Sequence, residues 1–206
     1  MEMTSNYRKK RVLNSGCGHH NPERLPAVFH GDSWEEIRVD IDPLVKPDVL
    51  TSTTDLRHFE SSSIDAVYSS HNLEHLYIHD VEKALAEFVR VLKPKGFALI
   101  TLPDIEKIAQ WIVDGNLEQV AYTSKMGPIT PFDMLYGHKK AVQEGNSYMA
   151  HNSGFTAASL GNILLSAGFK EVRVRPGNNF DLWAVGLLQE DSFGFFSWFE
   201  KQGLVA

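Results

Sequence analysis

The stretch Ile64–Asp104, "IDAVYSSHNLEHLYIHDVEKALAEFVRVLKPKGFALITLPD", constrains this chain more than any other. Ile64 to Ser70 reads as a strand entered from polar turn residues. The helix pattern that follows puts Val81, Leu85, Phe88, Val89 and Leu92 on one face. Asp80 stands where an N-cap is expected, and Pro94 and Gly96 stop the helix. "FALITLPD" is then a buried strand. Strand, helix and strand in that order imply a parallel α/β sheet with right-handed crossovers.

The rest of the chain is read against that unit. "KRVLNS", "WEEIRVDID" and "PDVLT" are further strands, with a proline-interrupted segment, "NPERLPAVF", between the first two. Residues 105–152 break the rhythm. "IEKIAQWIVDG", "LEQVAY" and "FDMLYGHKKAVQEG" read as helical pieces, so this stretch is expected to be a helical insertion, a lid over the carboxyl edge of the sheet. The rhythm returns with "TAASLGNILLSAGF", a helix capped by Thr156 and ended by Gly168, and with the strands "KEVRVRP" and "FDLWAVGLL". The expectation is one domain over residues 1–206.

The net charge of −6, with basic residues scattered, argues against a nucleic-acid partner. Cys17 is the single cysteine, so no intrachain disulfide forms. The apolar runs are too short to span a bilayer, and no apolar stretch follows the charged first residues, so a cytoplasmic protein is expected and no membrane partner. The aromatic tail "FGFFSWFEKQGLVA" has three readings: packing on its own domain, a homodimer contact, or a cover for the pocket.

"NSGCGHH" follows the first strand. A dinucleotide site wants G-x-G-x-x-G, so that backbone amides approach a pyrophosphate. Here Gly16 and Gly18 are present but the last position is Asn21. A nucleoside cofactor without phosphates needs only a tight turn and, after the second strand, an acid for the ribose hydroxyls. Asp40 lies 22 residues beyond Gly18 and is the candidate; Asp42 is the second.

With these residues quoted, the chain resembles a class I S-adenosylmethionine-dependent methyltransferase of the "type 11" kind. "VLNSGCGHH" resembles the family's first motif and "RVDIDP" its second. "TDLRHFESSSIDAVYSSHNLEHL" resembles the third and fourth strands with their loop. "ALAEFVRVLKPKGFALITLPD" is very like the family's helix and fifth strand, and "HNSGFTAASLGNILLSAGFKEVRV" resembles its closing helix and strand. The resemblance implies a Rossmann-like three-layer sandwich on a mostly parallel seven-stranded sheet, with the last strand antiparallel and a helical insertion after the fifth. It implies S-adenosylmethionine as cofactor and S-adenosylhomocysteine as product. The cofactor-binding residues it implies are Asn14, Gly16, Cys17, Gly18, Asp40, Ile41, Asp42, Ser52, Thr53, Asp55, Leu56, Ser70 and His71, with Leu56 covering an adenine face.

Asn14 stands where the family has an acid, and His20 where it often has a glycine. His71 and His151 are the candidates for catalysis, and His138 and Tyr148 lie nearby in the sequence. Cys17 reads as a packed residue or a reactive thiol. The expected activity is methyl transfer to a small-molecule or glycan-like acceptor. The alternative is a catalytically silent cofactor-binding module. A remote third reading takes "HNLEH" as the H-x-x-E-H pattern of a zinc hydrolase, with two histidines one helical turn apart. That pattern lacks a third ligand, and no metal is expected.

Overall fold

The computed structural model describes residues 8–124, 126–191 and 194–201. Five strands arise in order: β1 (Lys10–Ser15), β2 (Trp34–Asp40), β3 (Val49–Leu50), β4 (Ile64–Ser70) and β5 (Leu92–Pro103). A short hairpin, β6 (Tyr122–Ser124) and β7 (Gly127–Ile129), stands apart from the main sheet. The chain closes the sheet with β8 (Glu171–Pro176) and β9 (Asp181–Leu187). The seven-stranded order is β3-β2-β1-β4-β5-β9-β8. The first five strands are mutually parallel, and β9 runs antiparallel between β5 and β8. The expected fold class is therefore observed.

Period-two alternation divides the sheet into two faces. On one face Leu13, Val39, Val67, Ala98 and Ile100 pack under α1 (Ile78–Val91) and α5 (Ala157–Ala167). Val81, Leu85 and Phe88 are buried in α1. At about 1.5–3 kcal/mol for each large apolar side chain removed from water, this stripe dominates the helix's stability. On the other face Val12, Ala66, Tyr68 and Leu99 pack with Phe29 and with Phe196 and Phe199 of a terminal helix, Phe195–Lys201. Arg173 and Arg175 lie over the Phe196 and Phe199 rings at 4.8 and 5.0 Å. The described part of the aromatic tail thus packs on its own sheet; residues 192–193 and 202–206 lie outside the described residues.

Three local expectations are corrected. Asp80 does not cap α1. Its amide already bonds Tyr77 O inside the first turn, and its carboxylate pairs with Lys83 at 2.8 Å. The segment "LEQVAY" is not helical. Its tyrosine opens β6, which pairs with β7 (Thr123 opposite Pro128), and the hairpin buries Ile129 against Ile108. The 105–152 stretch is accordingly mixed: α2 (Ile105–Val113), the hairpin, α3 (Pro131–Tyr136) and α4 (Lys139–Gln143). No helix among the described residues is long and apolar enough to cross a membrane.

Candidate active site

The end of β1 makes the turn. Gly16 and Gly18 hold φ of +71° and +58°, the left-handed region that favours glycine. A Cβ on Gly16 would also run into the Asn72 side chain. The amides of Gly16 and Cys17 both donate to Val39 O, at 2.9 and 3.1 Å. The Gly18 amide donates to Asp40 Oδ2 at 2.8 Å, and the Asp42 amide to Asp40 Oδ1 at 2.9 Å. All three turn amides therefore point inward. The segment after the turn forms two 3-10 turns, Pro22–Arg24 and Ala27–Phe29, rather than a long helix. A pyrophosphate needs free amides and a helix N-terminus, and this turn presents neither. Sulfonium and ammonium groups are cations and need acceptors instead.

Asp40 keeps spare acceptor capacity, since a carboxylate offers about four lone-pair sites and two are used. Asp42 is committed to capping, accepting from Leu44 N at 2.8 Å. Ile41 between them is 51% exposed, an apolar side chain beside the acid. Leu56 is fully buried in the core, so it does not present a face to an adenine ring; its amide donates to Glu87 Oε2 at 2.7 Å. Asp55 pairs with Arg57 at 2.7 Å on the surface. Ser52 bonds Thr54 at 2.8 Å. Thr53 is buried in a network beneath the turn: its hydroxyl meets Ser15 at 3.0 Å and accepts from Asn72 Nδ2 at 3.1 Å, which also reaches Ser69 at 3.3 Å. A Cβ on Gly18 would meet nothing within 4 Å, so the space above the turn is free. These residues fit a nucleoside that carries cationic groups.

Three residues here were not read from the sequence. Asn72 floors the turn. Arg38 donates to Gly18 O at 2.8 Å and lies beside Cys17. Glu36 accepts from Asn14 Nδ2 at 2.7 Å, so the missing acid of the first strand has a carboxylate neighbour on the second. Burial pushes the Cys17 thiol up to about 11, against the pull of Arg38.

A second group of polar side chains lies where β4 ends. Ser70 is followed by His71 at φ +46°, an uncommon conformation for a residue with a side chain. His71 Nδ1 lies 3.2 Å from Glu74 Oε1, with 41% of the histidine side chain exposed and 1% of the glutamate. Burial opposes the charged imidazole, but the Glu74 hydrogen bond and charge win, and the His71 pKa is raised. Burial likewise opposes the Glu74 carboxylate, yet the His71 hydrogen bond and the neighbouring imidazoles leave it lowered. "HNLEH" does not lie on an α-helix: Leu73–His75 is a 3-10 turn and α1 starts later. The peptidase geometry of two histidines on successive turns of one helix is absent here.

His151 comes back from the far end of the insertion. Its ring meets His75 edge-on at 4.8 Å, and burial lowers its pKa. Backbone bonds fix this return: Asn152 N and Ser153 N donate to Glu74 O at 2.8 and 3.1 Å, and Asn152 Nδ2 donates to His75 O at 2.8 Å. His138 is drawn elsewhere, capping α4 through Ala141 N at 3.3 Å, and Tyr148 is exposed.

The sheet order, with the glycine turn after β1 and the acid at the end of β2, defines a Rossmann-like fold. Residues 13–100 match the family model described as a methyltransferase domain. This match, together with the fold, supports a class I S-adenosylmethionine-dependent methyltransferase. It is similar in fold to a SAM-dependent methyltransferase from Archaeoglobus fulgidus, with TM-score 0.60, 16% identity and 86% of each chain covered. It is also similar to a structure of the Haloferax volcanii Trm112 methyltransferase activator in complex with its putative methyltransferase, with TM-score 0.56 and 16% identity, covering 88% of this chain and 83% of that one. A third similar structure is the Burkholderia thailandensis 1,6-didemethyltoxoflavin-N1-methyltransferase with S-adenosylhomocysteine, with TM-score 0.52 and 16% identity, covering 87% of this chain and 71% of that one. No curated protein sequence matches the chain.

Proposed function

We propose that the chain transfers the methyl group of S-adenosylmethionine to a hydroxyl of a small-molecule or glycan-like acceptor. The observation that carries the reading is the Asp40 carboxylate, held by the Gly18 and Asp42 amides beneath free space at the turn. Asp40 takes the ribose hydroxyls and Ile41 covers the adenine. Gly16, Cys17 and Gly18 give the turn through their backbone, and Ser70 and His71 face the methionine end. Asn14, Asp42, Ser52, Thr53 and Asp55 support this cradle from below or from its rim, and Leu56 backs it from the core.

The cofactor supplies a methyl group on a leaving group that departs as a neutral thioether. The acceptor oxygen forms the new C–O bond as the C–S bond breaks with its electron pair staying on sulfur. The hydroxyl proton must then leave, and we assign His71, hydrogen-bonded to Glu74, as the base that takes it. The rest of the protein's contribution is orientation and exclusion of water. Bonds from residues 151–153 to Glu74 and His75 hold the end of the insertion against the β4 exit, taken here as the acceptor side, and this supports a small acceptor over a polymer surface. The acidic balance also disfavours RNA or DNA.

The test is release of S-adenosylhomocysteine from S-adenosylmethionine in the presence of glycosides and small hydroxylated acids, beside peptide and RNA controls. Turnover confined to the small hydroxylated compounds is expected. Turnover only on RNA or peptide overturns the acceptor class. Tight cofactor binding without turnover on any class favours the silent-module reading.

A further inference from the structure

The acceptor side holds a feature that methyl transfer does not require. One potential ligand atom from each of Glu74, His75 and His151 lies within 4.8 Å of the others. From the geometry we infer that this triad is a binding site for a divalent first-row transition ion, zinc in the first instance.

The hydrogen bonds around the three side chains favour it. His75 Nδ1 lies 3.0 Å from Ala150 O, and His151 Nδ1 lies 2.8 Å from Met134 O. A carbonyl can only accept, so each Nδ1 carries the ring's proton in the neutral histidine. Each Nε2 is then left with a lone pair, which is how ligating histidines are commonly oriented. Glu74 is 1% exposed, and one oxygen is turned to His71. The other, Oε2, is buried with no hydrogen-bond partner among the described residues. A buried carboxylate oxygen left unpaired is uncommon and calls for a partner. A cation seated between it and the two imidazoles supplies one.

Two nitrogens and one carboxylate oxygen suit zinc and its first-row neighbours better than calcium or magnesium. Ligand bonds of about 2.1 Å in a tetrahedral set put donors roughly 3.4 Å apart. The triad therefore closes with side-chain shifts of about 1 Å. The set is also held from two distant parts of the chain, because the 151–153 strap is bonded to the backbone of Glu74 and His75. His75 and His151 are half-buried, so three protein ligands leave an open position on the accessible side. An acceptor hydroxyl in that position becomes more acidic and loses its proton more readily. This last consequence rests on the proposed methyl transfer; ion binding does not.

The test uses the full chain stripped with a chelator and titrated with zinc chloride alone, with S-adenosylhomocysteine affinity measured separately on the same samples. One zinc per chain is expected. His151→Gln should weaken zinc by more than the roughly 10–100-fold that loss of an outer-shell partner costs, while leaving S-adenosylhomocysteine affinity unchanged. Cobalt(II) should give visible d–d bands that Glu74→Gln, the near-isosteric variant, abolishes; this arm decides the matter if His151→Gln fails to fold. Wild-type protein that binds S-adenosylhomocysteine but takes up no stoichiometric zinc overturns the inference. So does zinc binding that survives both substitutions. Loss of S-adenosylhomocysteine binding with zinc binding intact would overturn the cofactor site instead.

Discussion

The two halves of the proposed site are built on opposite plans. On the cofactor side, β1, β2 and the turn lie close in sequence, and their polar groups satisfy one another: Val39 O takes two amides, Asp40 takes two more, and Asn72 ties Thr53 to Ser69. On the acceptor side, Glu74 and His75 meet His151 across a long insertion, and a buried carboxylate oxygen is left without a partner among the described residues. A saturated site is a preformed receptor that gains little from further ions. An unsaturated one stores a demand that a ligand can meet. The first should respond to substitution mainly in cofactor affinity, and the second in chemistry without loss of cofactor.

The largest effect is expected at Asp40. Asp40→Ala removes a charged acceptor from the ribose hydroxyls and frees the Gly18 and Asp42 amides. Hydrogen bonds to a charged group contribute about 1.5–3 kcal/mol each. S-adenosylhomocysteine affinity should fall by about 100-fold in calorimetric titration. A change of less than about threefold would remove Asp40 from the ribose site.

Next is Gly137, at the end of α3. Its φ is +93°, and an added Cβ would overlap Met149 O just before the strap. Gly137→Ala should cost about 1–3 kcal/mol and displace residues 149–151 from the β4 exit. Acceptor turnover should drop while S-adenosylhomocysteine affinity stays within about twofold. If both fall together, the two halves are coupled and the contrast between them fails.

Asn14→Asp separates the sequence view from the structural one. By resemblance the substitution restores the family's acid and should tighten the cofactor. In the structure Asn14 Nδ2 donates to Glu36 at 2.7 Å, so an aspartate there sets two carboxylates side by side. The like charges should cost about 1–2 kcal/mol, a fall in Tm of roughly 2–8 °C for a domain of this size. Tighter S-adenosylhomocysteine binding at unchanged Tm would show that the motif outweighs the local pair.

What the sequence made legible follows the same division. The glycine turn and Asp40 are short-range features whose backbone demands show in residue type and spacing. The α1 face was readable because helical periodicity and burial coincide at Val81, Leu85 and Phe88. Asn72, Glu36 and Arg38 were not legible, because nothing in a lone polar residue says which strand or turn it will meet. The Glu74–His75–His151 cluster was half visible in "HNLEH", but as a peptidase pattern on a helix. The third ligand is delivered only by the fold, through a strap whose bonds to Glu74 and His75 no local pattern encodes. The hairpin inside the insertion was missed because the preceding "LEQVAY" has good helix formers and tertiary burial of Ile129 overrides them.

The smallest effect is expected at Cys17, and it tests how closed the saturated half is. The thiol sits between two glycines at the cofactor turn, where a reactive cysteine would be conspicuous. Burial pushes it up to about 11 from an ordinary 9.0, although Arg38 pulls the other way. A rise of two units cuts the thiolate fraction at pH 8 by about 100-fold, and the thiolate is the reactive form. Iodoacetamide should therefore modify Cys17 about 100-fold more slowly than a free thiol at pH 8, gaining roughly tenfold per pH unit while the fold persists. The Cys17 amide is already spent on Val39 O, so its backbone donor is not free for the cofactor. Cys17→Ser should leave S-adenosylhomocysteine affinity within about twofold. Rapid alkylation at pH 8 would mean that Arg38 outweighs burial and that the turn opens to solvent. The cofactor half would then be no more self-contained than the acceptor half.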